Sequence, residues 1–79
     1  MAQAPVSTIV DARGLSCPMP NVKAAQWLRC VTSGQLMELL ATDPGSTKDV
    51  VAWCRQTGNE LVEERTDDKG VFHFVIRRS

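Results

Sequence analysis

Cys17 stands directly before Pro18, and Met19 and Pro20 follow. The stretch falls where a strand-like segment gives way to a helix-like one. A helix start offers unpaired backbone N–H groups and the positive end of the macrodipole, and both favour a thiolate over a thiol. Proline suits the first helical position, because its fixed φ fits and its missing N–H has no partner there anyway. Pro18 therefore reads as the first helical residue and Cys17 as the cap. Cysteine is a poor N-cap beside serine, aspartate or asparagine. Its presence here points to chemistry on the thiol.

The other two cysteines do not pair with it. Cys30 follows 13 residues on along one helix, about 20 Å away at 1.5 Å per residue, and a disulfide needs Cα atoms within about 7 Å. Cys54 falls about two turns into a second helix, level with neither. Both read as small apolar side chains, Cys54 on an apolar helix face and Cys30 at a helix end. A metal site has no support, since there is no C-x-x-C and no pair of histidines. The single His73 reads as a half-exposed strand residue.

Cys17 also lacks the partners of most cysteine enzymes. A redox pair would need a resolving cysteine two or three residues on, where Met19 and Pro20 stand. A hydrolase would need a positioned base, and one distant histidine is weak support. A lone activated thiol remains. Such a thiol can attack, hold a group covalently and hand it to another protein's nucleophile. A redox-sensing or regulatory protein-binding module using Cys17 is the alternative. A small thiol enzyme on a free substrate such as thiosulfate is a third, disfavoured by the missing base.

The chain has 79 residues, which allows one domain. Residues 1–6 read as a flexible N-terminal tail and 7–79 as the domain. Hydrophobic residues make up 43% and charged residues 23%, as in ordinary globular domains. Nine basic and nine acidic residues cancel, which argues against direct nucleic-acid binding. No apolar run approaches a membrane span, and the N-terminus lacks a signal-peptide pattern. With an odd number of cysteines, the chain reads as cytoplasmic.

The elements that position Cys17 follow from the hydrophobic pattern. Ser7-Thr8-Ile9-Val10 is β-branched and reads as a strand. Residues 18 to about 31 read as a helix, with Val22, Ala25 and Leu28 on its apolar face and Ala24, Trp27 and Val31 widening it. Residues 36–41 are nearly continuous apolar, as in a central strand. Asp43-Pro44-Gly45 turns the chain. Ser46 with Asp49 resembles a capping box, and a helix follows to about Thr57, ended by Gly58. Residues 61–65 and 71–77 read as strands around an Asp67-Asp68-Lys69-Gly70 turn. The order is β-α-β-α-β-β. If the first two strands are parallel neighbours, the loops after them open on one sheet edge, where ligand chemistry gathers in open α/β sheets. Lys48, in the first turn of the second helix, and Arg13, by proximity in sequence, are then the candidate cations near Cys17.

The run from Asp11 through Ala12, Arg13, Gly14, Leu15 and Ser16 to Cys17, Pro18, Met19 and Pro20 resembles the D-x-x-G-x-x-C-P-x-P signature of the TusA/SirA-type sulfur-carrier proteins. The resemblance continues through residues 43–49, 58–61 and 72–78 and covers nearly the whole chain. It implies an α/β (α+β) two-layer sandwich, with a mixed four-stranded sheet in the order 1-2-4-3 and two helices on one face. That arrangement leaves one sheet face bare, where Leu36, Leu40 or Val75 could be exposed. The resemblance also implies that Cys17 carries sulfane sulfur as a persulfide, a sulfurtransferase-like carrier role with no cofactor besides the covalent sulfur. Donors would be a cysteine desulfurase or a rhodanese-type protein. Acceptors would be DsrE/TusD-type proteins, in the sulfur relay of tRNA 2-thiouridine formation or in DsrEFH-type sulfur oxidation, and molybdenum-cofactor synthesis is a further link. Asp11, Gly14, Pro18 and Pro20 would support Cys17: Gly14 by letting the loop turn tightly, the prolines by stiffening the helix start.

Overall fold

The computed structural model describes residues 6–16 and 19–79. Six elements follow in the order expected: β1 (Val6–Ala12), α1 (Met19–Leu28), β2 (Leu36–Ala41), α2 (Ser46–Thr57), β3 (Glu60–Thr66) and β4 (Phe72–Arg77). They form one mixed sheet in the order β1-β2-β4-β3. β1 runs parallel to β2, with Val6 beside Leu36 and Ala12 beside Ala41. β4 is antiparallel to both β2 and β3. The strand begins at Val6, one residue earlier than its β-branched run, and extends through Ala12.

Strand alternation sends one set of side chains towards the helices. Val10 and Ala12, Met37, Leu39 and Ala41, and Phe74 and Ile76 pack with Ala24, Leu28, Val50 and Cys54 in one buried core. Both helices therefore lie on the same sheet face.

The α1 face differs from the expectation. Its buried residues are Pro20, Ala24 and Leu28, continued by Val31 beyond the helix, while Val22 is 41% and Trp27 47% exposed and Ala25 lies in solvent. The buried stripe is spaced four residues apart, and the fully buried Ala24 lies at its middle. Bulk did not decide which side chains went inside.

The helix is also shorter than expected. It ends at Leu28 and tightens into three-residue bonds, Cys30 N–H to Trp27 O and Val31 N–H to Leu28 O, both 3.0 Å. Arg78 folds onto this end, where its Nη1 donates to Val31 O and makes longer contacts with Leu28 O and Arg29 O.

The sheet face without helices exposes Ile9, at 63%, yet covers most of the residues expected to be bare there. Leu36 and Val75 are 1% and 6% exposed, and Leu40 is half-buried. The strand register explains why. Arg77 lies beside Leu36, and Glu38 and Glu63 flank Val75. Long charged side chains cover apolar neighbours with their stems while their heads stay in water.

Candidate functional site

The β1–α1 loop and the β2–α2 loop open on the same sheet edge, as parallel neighbours require. They touch there: the Gly14 N–H donates to Thr42 Oγ1 at 2.9 Å. Gly14 has φ +83°, a backbone region that side chains with a Cβ rarely enter, so glycine fits the turn. The Leu15 N–H closes back on Ala12 O at 3.2 Å.

Asp11 and Arg13 form a unit at the start of this loop. Asp11 Oδ1 accepts from the Arg13 N–H at 3.1 Å and from Nε at 2.9 Å, and Oδ2 accepts from Nη2 at 2.8 Å. The Arg13 side-chain hydrogen bonds, followed by its backbone N–H, hold the Asp11 carboxyl well below the usual carboxylate range. Asp11 in turn pushes the guanidinium of Arg13 up. The charge of Arg13 is thus matched by its neighbour two residues back.

Cys17 and Pro18 lie outside the described residues, as does the expectation that they form the cap and first residue of the helix. The residues on either side of them are described. The Met19 N–H donates to Ser16 O at 2.8 Å, and α1 begins at Met19. Pro20 is buried against the core, in the first turn.

The second helix arrives at the same edge. Asp43, not Ser46, organises its start. Asp43 Oδ2 accepts from the Gly45 N–H at 3.0 Å, and its backbone carbonyl accepts from the N–H and the hydroxyl of Ser46. Gly45 is the N-cap and carries no side-chain cap, so the capping box expected of Ser46 and Asp49 is absent. The hydroxyl of Ser46, fully buried, is engaged by a backbone carbonyl instead. Lys48 lies exposed in the first turn of α2. It borders a shallow depression with Thr47, Val51, Ala52 and Arg55, on the side of α2 away from the buried Val50 and Cys54. The structure therefore brings Asp11, Arg13 and Gly14 together but points Lys48 elsewhere.

Three residues at this edge escaped the sequence reading. Lys23 Nζ donates to the backbone carbonyl of Asp11 at 2.6 Å. Asn21 Nδ2 donates to Asp49 O at 3.1 Å and ties the first turns of the two helices. Thr42 is the acceptor for Gly14. The β1–β2 register offers a signal for Thr42, since Ala12 pairs with Ala41 and the next residues must face each other. Lys23 and Asn21 have no such signal until the helix rotation is known.

Of the remaining cysteines, Cys54 packs as a small apolar group and Cys30 does not. Cys54 is buried, and burial pushes its thiol up to about 11. Cys30 is exposed at the far end of α1. Among the described residues, no group of three His, Cys, Asp or Glu side chains could hold a metal ion. Among the described residues, no helix is long and apolar enough to cross a membrane.

The arrangement is matched in known proteins. A family model described as Sulfurtransferase TusA matches residues 8–78. The sulfur carrier protein TusA of Allochromatium vinosum is 49% identical over 70 residues, covering 89% of this chain and 91% of that one. The TusA of Pseudomonas putida KT2440 is 37% identical, covering 89% and 86%. In fold, a SirA-like protein of Desulfitobacterium hafniense superposes with a TM-score of 0.78 at 24% identity, covering 89% of this chain and 95% of the other. Matched over nearly its whole length, the chain belongs to the TusA family of sulfur carriers.

Proposed function

We propose that the chain carries sulfane sulfur as a persulfide on Cys17, received from one protein and delivered to another. The Cys17 thiolate attacks the terminal sulfur of a donor persulfide. A new S–S bond forms on Cys17 as the donor's S–S bond breaks, and the electron pair leaves with the donor thiolate. An acceptor thiolate then repeats the exchange on the Cys17 persulfide. No external oxidant or reductant is consumed, and no cofactor takes part.

The observation that supports this reading best is the unbroken run of Asp11, Gly14, Cys17, Pro18 and Pro20 inside a chain matched to sulfur carriers over residues 8–78. The fold adds a rationale. Asp11, Gly14 and Met19 brace a short loop at the sheet edge where both helices start, and thiolates are favoured at helix starts. The donor is a cysteine desulfurase or a rhodanese-type protein, and the acceptor a DsrE/TusD-type protein in the cytoplasm. The relay ends in tRNA 2-thiouridine or in DsrEFH-type sulfur oxidation. Zero net charge fits an indirect role towards RNA.

Intact mass spectrometry tests the central step. After incubation with a cysteine desulfurase and cysteine, or a rhodanese and thiosulfate, the wild type gains the mass of one sulfur atom and Cys17→Ser does not. An adduct that persists in Cys17→Ser and vanishes in Cys30→Ser would overturn the assignment. Steady turnover of thiosulfate by the isolated protein would point instead to an enzyme on a free substrate.

A further inference from the structure

The sheet has two edge strands, β1 and β3, and they are built differently. β3 carries Glu60, Glu63, Glu64 and Arg65 among its seven residues. Charges of this kind keep an edge from pairing with another chain. β1 carries one charge, Asp11, and Arg13 pairs with it at 2.8 Å. Its other residues are Val6, Ser7, Thr8, Ile9, Val10 and Ala12, with no lysine or proline among them. Among the described residues, no strand pairs with the outer side of β1.

Apolar side chains flank this edge on both sides of the sheet. Val10 and Ala12 point into the core, so Ile9 between them points to the helix-free face, where it is 63% exposed. On the helix side stands Trp27, 47% exposed. Lys23, one turn before Trp27 on the same face of α1, reaches the backbone carbonyl of Asp11 at 2.6 Å. That face of α1 therefore runs along β1, while Asn21 ties another side of the helix to α2.

We propose that β1 is a strand-pairing edge whose occupant is a second copy of this chain, joined antiparallel about a two-fold axis centred on Ile9. Self-complementarity selects this occupant. The pairing sets Ile9 against its own counterpart, Thr8 against Val10 and Ser7 against Asp11. The exposed isoleucine is covered by itself, a hydroxyl meets a carboxylate, and no like charges face each other. The same operation on β3, centred on Glu63, would oppose two glutamates. Two four-stranded sheets become one of eight strands, with both α1 helices on one side and Trp27 at their seam. The two-fold uses β1 of each copy and leaves only the charged β3 outside, so assembly stops at two. One strand pair covers little area beside the about 1,200–2,000 Å² of a stable interface, so the dimer is weak.

Sedimentation velocity under reductant, which removes disulfide-linked species, tests this. Between about 10 µM and 1 mM, the mass should rise from one chain towards two. Ile9→Lys opposes two ammonium groups at the axis and should weaken association about ten-fold or more. Its fold should persist, because the Ile9 side chain is exposed. Glu64→Gln, on the other edge, should change nothing. A wild type that stays monomeric at about 1 mM overturns the second copy as occupant. A dimer equally strong in Ile9→Lys, or a mass that climbs past two chains, overturns the proposal as well. Amide hydrogen exchange of the wild type needs no variant. Protection of Val6–Ala12 should rise with concentration while that of Glu60–Thr66 stays constant, and the reverse pattern overturns β1 as the paired edge. Neither measurement involves sulfur loading, so the outcome is independent of the carrier reading.

Discussion

His73 Nδ1 lies 2.8 Å from the carboxylate of Glu38, diagonally across the β2–β4 pair. Its Nε2 lies 2.9 Å from Asp67 Oδ2, in the turn before β4. An ionised carboxylate only accepts, and a neutral imidazole has a single N–H. Both contacts are satisfied together when the ring is an imidazolium. The Asp67 hydrogen bond, and then that of Glu38, accordingly push His73 above its ordinary value.

The pH dependence of stability follows. His73 binds its proton more tightly folded than unfolded, so its contribution is complete below the ordinary histidine value of 6.5 and is lost as pH rises through the higher folded value. Asp67 behaves in the opposite sense. The His73 hydrogen bond, followed by the Val71 N–H, lowers it to about 2, so its contribution is complete above 3.8 and is lost as pH falls through about 2. Thermal melts should show a lower Tm on the alkaline side, and His73→Gln should flatten that decline. The one histidine of the chain gives a single imidazole signal, whose NMR titration midpoint should lie above 6.5.

Gly14→Ala should destabilise the protein by about 1–2 kcal/mol, the cost of a left-handed backbone for a residue with a Cβ. No atom lies within 4 Å of the added Cβ, so a clash contributes nothing. Urea unfolding measures the loss. A loss several times larger would show that the loop, not the dihedral, had been disrupted.

Arg78→Gln should loosen the far end of α1. The guanidinium hydrogen bonds to Leu28 O at 3.3 Å and to Val31 O at 2.5 Å disappear, at a cost of about 1–3 kcal/mol. Hydrogen exchange should accelerate first at residues 28–31.

The cysteines should separate cleanly under a maleimide. Cys30 is exposed and should label in the folded protein, whereas Cys54, buried and pushed up to about 11, should label only with unfolding. Peptide mapping before and after urea checks this.

The order of elements was readable because its signals are local. β-branched runs, Gly58 after α2 and the Asp67–Gly70 turn each mark a boundary by residue type. What failed depends on contacts distant in sequence. Val22 and Trp27 look like core by type, yet Pro20 and Ala24 hold the buried stripe, which shows only once α1 is rotated onto the sheet. Ser46 fits a capping pattern, yet the Asp43 carbonyl captures its hydroxyl. Leu36 and Val75 lie on the helix-free face, yet cross-strand charged neighbours cover them. At the site, Asp11, Gly14 and Arg13 were readable from one continuous stretch. Lys23 was not, because its partner is a backbone carbonyl, which has no sequence signature.

The Arg78 cap has a consequence for the order of events as the chain is made. β4, the last strand, is an inner strand of the sheet, and the cap on α1 spans 50 positions from Arg78 back to Leu28. A ribosome therefore delivers α1 long before it delivers the strand and the arginine that hold its far end. Until β4 inserts between β2 and β3, the end of α1 lacks the hydrogen bonds that Arg78 donates in the folded protein.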